Sequence, residues 1–200
     1  MFISRFSGRR RTFIAALACS ALLTLAGCKD QPEFKGSDIS GTKLGKDLAM
    51  VDETGTQRTL ADYRGKVLVV FFGFTHCPDV CPTAMAELAQ TMQLLGEDAE
   101  KAQVLMITVD PERDTPERLN TYVKAFNARF VGLSGSTEQL QKTAKSFKSY
   151  YSKEPGAKPG EYTMNHASSF YLIDGEGEAR VLLSGNAPAQ EIAHDIRQLL

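Results

Sequence analysis

From Lys66 to Gly73 the chain reads Lys-Val-Leu-Val-Val-Phe-Phe-Gly, a continuous apolar run of β-type residues. Such a run predicts a strand covered on both faces. Pro82 to Leu95 then changes period: Met85, Leu88, Ala89, Met92 and Leu95 recur at spacings of three and four, which predicts an amphipathic helix. Gln103 to Val109 is a second buried strand. Asp114 or Thr115 can cap the next helix, which has Pro116 in its first turn and runs to about Phe126. Phe130 to Leu133 reads as a short strand, and Ser136 to Phe147 as a helix with Leu140, Ala144 and Phe147 on one face. Ser169–Asp174 and Ala179–Ser184 are strands joined by Gly175-Glu176-Gly177, a hairpin signal. Pro188 to Leu200 closes as an amphipathic helix.

Strands alternating with helices, ending in a hairpin and a helix, argue for an α/β domain with one central sheet. A thioredoxin-like arrangement, a mixed sheet flanked by helices, has that order. Residues 148–165 interrupt the pattern with Pro155, Gly156, Pro159 and Gly160 among tyrosines and lysines, and predict an inserted loop or hairpin before His166.

The N-terminal pattern has another meaning. Residues 1–27 hold Arg5, Arg9, Arg10 and Arg11, no acid, and an apolar run from Phe13 to Ala26. That run is shorter than the ~20 residues of a membrane span. A basic start, an apolar middle and small residues before a cut describe a secretory signal peptide. Leu25-Ala26-Gly27-Cys28 resembles a bacterial lipobox, in which Cys28 would be lipidated. Arg10-Arg11 fits either a twin-arginine signal or an ordinary basic segment. The expected organisation is a signal peptide over 1–27, a polar lipid-anchored tether over 28–46 and a domain over 47–200. The expected place is the periplasmic side of a bacterial membrane, reached without a spanning helix.

That reading changes the composition. The full chain has 23 basic and 24 acidic residues; without residues 1–27 it has 19 against 24, a net charge of −5. There is no electrostatic case for nucleic acid. Four cysteines are too few for a disulfide framework. Cys19 would leave with the signal and Cys28 would carry lipid, so two cysteines remain for chemistry.

Those two form Cys77-Pro78-Asp79-Val80-Cys81-Pro82, between the apolar strand and the first long helix. Loops at the carboxyl ends of strands are the usual active-site position in α/β folds. A helix N-terminus also presents unpaired N–H groups and a positive dipole end, which favour thiolate. In a helical turn, residues i and i+4 point the same way, so both sulfurs can converge on one ion. They can also close a disulfide. The spacing admits metal and redox chemistry alike. Of the three histidines, His76 adjoins Cys77 and reads as a neighbour that tunes the site. His194 reads as a solvated residue of the last helix. His166, just before a central strand, is either a ligand or a hydrogen-bonded loop residue. Two thiolates with an imidazole suit Cu(I), or Cu(II) with an added oxygen. Structural zinc would need a fourth ligand, which is not evident, and Cys-x-x-Cys-His for haem is absent. Asp79 reads as a helix cap before a weak oxygen ligand, and Met164 as a packing residue before a transient ligand. A peroxidatic Cys77 is disfavoured, because Thr75 gives Thr-x-Cys where Thr-x-x-Cys is wanted.

Three blocks in order carry a resemblance: Gly73 to Pro82, Val109-Asp110-Pro111-Glu112-Arg113-Asp114-Thr115-Pro116, and His166 to Asp174. They resemble the Sco/SenC family, copper-binding assembly factors of cytochrome c oxidase, over about residues 38–200. The resemblance implies a thioredoxin-like domain holding one copper through Cys77, Cys81 and His166. It implies a metallochaperone that delivers copper to the dinuclear centre of oxidase subunit II, or a thiol–disulfide reductase acting on that centre's cysteines. A periplasmic copper donor, a thiol reductant, the membrane and a monomeric state complete the expected setting. The lipobox departs from the family's common transmembrane anchor, and the resemblance gives no role to Asp110–Asp114.

Overall fold

The computed structural model describes residues 32–200, and a single compact unit runs from Glu33 to Leu200. The signal peptide, Cys19 and Cys28 lie outside the described residues. Among the described residues ten strands form: β1 (Ser37–Asp38), β2 (Met50–Val51), β3 (Gln57–Arg58), β4 (Val67–Gly73), β5 (Ala102–Thr108), β6 (Val131–Leu133), β7 (Tyr151–Pro155), β8 (Tyr162–His166), β9 (Ser169–Ile173) and β10 (Ala179–Ser184). Four α-helices accompany them: α1 (Val80–Leu95), α2 (Pro116–Phe126), α3 (Thr137–Phe147) and α4 (Ala189–Leu199).

The central sheet has the order β1-β10-β9-β4-β5-β6. β4, β5 and β6 run parallel, while β9 pairs antiparallel with β4 and β10 antiparallel with β9. All seven residues of β4 are buried, as its apolar run requires of a strand covered twice. Successive side chains of a strand face opposite ways. Phe72 meets Phe147 of α3 at 5.4 Å between ring centroids, whereas a Cβ on Gly73 would point at the Cys81 sulfur of α1. Helices therefore cover both faces, and the arrangement is thioredoxin-like.

Local signals explain the helix ends. The Thr115 side chain accepts from the Arg118 N–H, so Thr115 caps α2 and Asp114 is released for another role. Ser136 and Gln139 form a reciprocal capping box on α3. At the end of α1, Gly96 takes φ +59°, where a side chain would be strained. The excursion at 148–165 is an antiparallel hairpin, β7–β8, in which Tyr151 faces His166.

The expected tether needs correction. Residues 33–46 belong to the compact unit. Phe34 and Ile39 pack against the core and Leu44 is buried. The N–H groups of Lys35 and Gly36 donate to the buried Asp195 carboxylate at 2.7 and 2.9 Å, and β1 adds to the sheet edge at β10. Three apolar anchors spaced through a polar stretch show no strand or helix period, so the composition hid them.

Candidate metal centre

β4 ends at Gly73, and the chain turns through Phe74, Thr75 and His76 before α1 begins. A buried carboxylate shapes this turn. Asp114, fully buried, accepts from the Thr75 N–H at 3.0 Å, the Thr75 hydroxyl at 2.5 Å and the Thr108 hydroxyl at 2.7 Å. The turn leaves Cys77 half-buried and places Cys81, wholly buried, in the first turn of α1. Both cysteines are free thiols. The Cys81 N–H points at the Cys77 sulfur, 3.4 Å away, so the positive end of a peptide dipole lies against that sulfur.

His166 arrives from the other side, at the end of β8. Its Nδ1 lies 3.0 Å from the Ala167 carbonyl oxygen, which can only accept. Nδ1 therefore carries the hydrogen, and Nε2 presents a bare lone pair 3.6 Å from the Cys81 sulfur. Phe71 and Phe74 hold the ring edge-on, with centroids 6.3 and 5.8 Å away. The ligand atoms of Cys77, Cys81 and His166 all lie within 4.8 Å of one another, and no other such group occurs among the described residues.

Burial governs the charges here. It pushes the Cys81 thiol well above its ordinary range; a contact with the Phe74 backbone opposes this, and the neighbouring Cys77 adds to it. Burial lowers the His166 pKa against the opposing contact with Ala167, which keeps the imidazole neutral. The site thus offers a neutral imidazole and a thiol that loses its proton only when a cation takes the proton's place. Soft sulfur donors with one imidazole fit monovalent copper. Three protein ligands do not close a tetrahedral structural zinc site. The site opens on a depression of about 200 Å³ bordered by Cys77, Pro78, Val80, Met164 and His166.

The remaining candidates fall elsewhere. His76 is exposed, with Nδ1 3.1 Å from the Thr75 hydroxyl, and stands outside the cluster. His194 pairs with Asp195 on α4 at 2.9 Å. Asp79 occupies the cap position of α1, but its side chain makes no capping bond; its carbonyl accepts from the Thr83 N–H and hydroxyl instead. Side-chain capping by Asp79 is therefore corrected. Asp79 takes no part in the cluster, and Met164 lines its mouth.

Asp114 is the functional neighbour that pattern reading missed. It looks like an ordinary cap, and its partners Thr75 and Thr108 lie 39 and 6 residues away. The one available signal was the block Asp110–Asp114, which the resemblance matched without a role.

The chain is similar to several known proteins. It is 36% identical over 154 residues to the bovine mitochondrial protein SCO2 homolog, a match covering 76% of this chain and 58% of that protein. The chain spans about half to three fifths of the length of the curated SCO2 relatives it matches. Among solved structures it resembles Bradyrhizobium japonicum ScoI with copper bound, at 34% identity and a TM-score of 0.70, covering 82% of this chain and 99% of that one. It also resembles apo Sco1 from Thermus thermophilus, at 34% identity and a TM-score of 0.76, covering 86% and 99%. The SCO1/SenC family model matches residues 37–200, which takes in the whole sheet and all three converging side chains, so the chain belongs to the SCO1/SenC family.

Proposed function

We propose that this protein is a copper metallochaperone that carries one copper ion on Cys77, Cys81 and His166. The observation that carries the reading is the convergence of two sulfurs and a bare imidazole nitrogen within 4.8 Å at the mouth of an open depression. The copper-bound Bradyrhizobium relative supports the choice of cargo. The half-exposed Cys77 is the ligand from which an acceptor's thiolate would take the ion. The buried Cys81 and the pinned imidazole hold it until then. The recipient in this reading is the dinuclear copper centre of cytochrome c oxidase subunit II, loaded from a periplasmic donor.

The test is copper titration of the reduced domain. Wild type should bind one equivalent, and Cys77→Ser, Cys81→Ser and His166→Ala should each lose it. Unchanged affinity in His166→Ala would remove the imidazole from the ligand set.

A second reading rests on the same pair of free sulfurs. Reduced Cys77 and Cys81 would pass two electrons and two protons to the disulfide of the acceptor centre and close a disulfide of their own. A thiol reductant would then reset them. Cys77, the more exposed sulfur, would attack first. This reaction needs no imidazole ligand, so His166→Ala should abolish copper binding and leave dithiol exchange intact.

Export and anchoring belong to the same proposal. The basic and apolar segments of residues 1–27 and the sequence Leu25-Ala26-Gly27-Cys28 support cleavage and lipid attachment at Cys28. Cys28→Ser should then move the protein from the membrane fraction to the soluble one, or leave the precursor uncleaved.

A further inference from the structure

His166 sits on a hairpin outside the central sheet, so something must fix that hairpin relative to the cysteines. One group of contacts does so. The Arg113 guanidinium lies over the Tyr162 ring, 3.8 Å from its centroid, with the Phe74 ring at 6.0 Å. Arg113 Nε donates to the buried Asp110 carboxylate, and Nη1 donates to the Tyr162 carbonyl at 3.1 Å. The Tyr162 hydroxyl returns to Asp110 at 2.9 Å. Lys153, on the facing strand, lies 3.9 Å from the same ring and pairs with Glu112 at 2.7 Å.

The Arg113–Tyr162, Tyr162–Asp110 and Lys153–Glu112 contacts join the segment after β5 to the hairpin, and the Arg113–Asp110 pair holds the guanidinium in place within that segment. Tyr162, Met164 and His166 alternate along β8 and share a face. Fixing Tyr162 therefore fixes the direction in which His166 leaves the strand. Arginine suits the task because its planar fork can stack and donate at two points together, which a lysine cannot. Its remaining nitrogen, Nη2, is buried without a partner, so full hydrogen bonding of the guanidinium does not explain its presence.

We propose that Asp110, Arg113 and Tyr162 form a clamp that positions the His166 imidazole over the cysteine pair, and that loosening the clamp speeds release of copper. Arg113 and Tyr162 are positioning residues and touch no ligand atom of the cluster. The same short segment holds both halves of the site, since Asp114 braces the cysteine turn while Asp110 and Arg113 brace the hairpin. The release step rests on the copper reading above; the positioning step does not.

The test uses the metal-free and copper-loaded protein with Tyr162→Phe, Arg113→Lys and the paired change Arg113→Met with Asp110→Asn, which avoids a stranded buried carboxylate. In the metal-free protein, ¹⁵N shifts of the His166 ring should report a protonated Nδ1 and a bare Nε2. The variants should average the two nitrogens and raise amide exchange along residues 162–167 about tenfold, the scale of one lost charge-assisted hydrogen bond. The copper-loaded variants should release Cu(I) to a chromogenic chelator about tenfold faster than wild type. A lowered melting temperature with the wild-type ring signature and unchanged hairpin exchange overturns the clamp as a positioning device. Faster hairpin exchange with unaltered release overturns its control of copper. If wild type and His166→Ala release copper at one rate, the imidazole leaves the ligand set and the clamp has no hold on copper, while the ring signature still decides the positioning step.

Discussion

Replacing Asp114 tests whether a buried carboxylate holds the cysteine turn. Its carboxylate is fully buried and accepts three hydrogen bonds, two from Thr75 and one from Thr108. Bonds to a charged group contribute about 1.5–3 kcal/mol each. Removing the carboxylate also removes its own desolvation cost, which offsets part of that sum. Thr108 keeps one bond in any case, because its hydroxyl accepts from the Asp110 N–H at 2.9 Å. Asp114→Ala should therefore cost about 3–5 kcal/mol, and Asp114→Asn about 1–2 kcal/mol, since an amide keeps one acceptor and can donate to a threonine hydroxyl. In a domain of this size each kcal/mol shifts the melting temperature by about 2–4 °C. The alanine variant should melt roughly 10 °C lower. Paired thermal melts and urea titrations measure the difference. Cu(I) affinity should fall along with stability, because Cys77 follows Thr75 by two residues. An alanine variant within about 1 kcal/mol of wild type would falsify the idea that this carboxylate organises the turn.

Other expectations follow from the same structure. A Cβ at position 73 would lie 3.1 Å from the Cys81 sulfur and 2.8 Å from Phe71, so Gly73→Ala should cost about 1–3 kcal/mol and weaken copper binding; wild-type melting and affinity together would contradict it. Burial pushes Asp52 up, but hydrogen bonds from Thr54 and Arg58 outweigh it and hold its pKa at about 2. Its contribution, about 1–2 kcal/mol, is fully present above pH 4 and is lost as pH falls through 2. Asp52→Asn should flatten that part of the stability profile in acid-dependent urea titrations. Asp195→Ala removes the acceptor for the Lys35 and Gly36 amides; residues 34–39 should then be cut by protease faster than the sheet, and equal protection in both proteins would contradict the anchoring role.

Much of this fold was legible in the chain. The buried run of β4, the helical period of α1 and the Thr115 and Ser136 caps are short-range features. Each is decided by residues within a few positions of one another. β1, β2 and β3 were not legible, because two-residue strands carry no period and exist only where a neighbour offers an edge. The stretch 33–46 misled for a related reason: its polarity suggested a free tether, while Phe34, Ile39 and Leu44 and two backbone amides tie it to the domain. The excursion at 148–165 declared itself as an interruption, and its hairpin form follows from pairing that only the folded chain provides.

The candidate site divides in the same way. Cys77 lies in the loop before α1 and Cys81 in its first turn, four residues on, so their short spacing keeps the two sulfurs together. His166 joins them from 85 residues beyond Cys81, across the sheet. Residue types left it open between ligand and loop histidine, and the resemblance alone favoured it as a ligand. The sequence by itself determined the element order, the thiol pair and the soft donor chemistry, because periodicity, capping and an i, i+4 spacing act over a few residues. Only the tertiary structure decided that His166 presents Nε2 toward the cysteines, that Asp114 braces their turn and that Arg113 ties the hairpin down. Those depend on parallel and antiparallel pairing that brings distant segments to one end of the sheet, and on a buried setting where an unpartnered polar atom is costly.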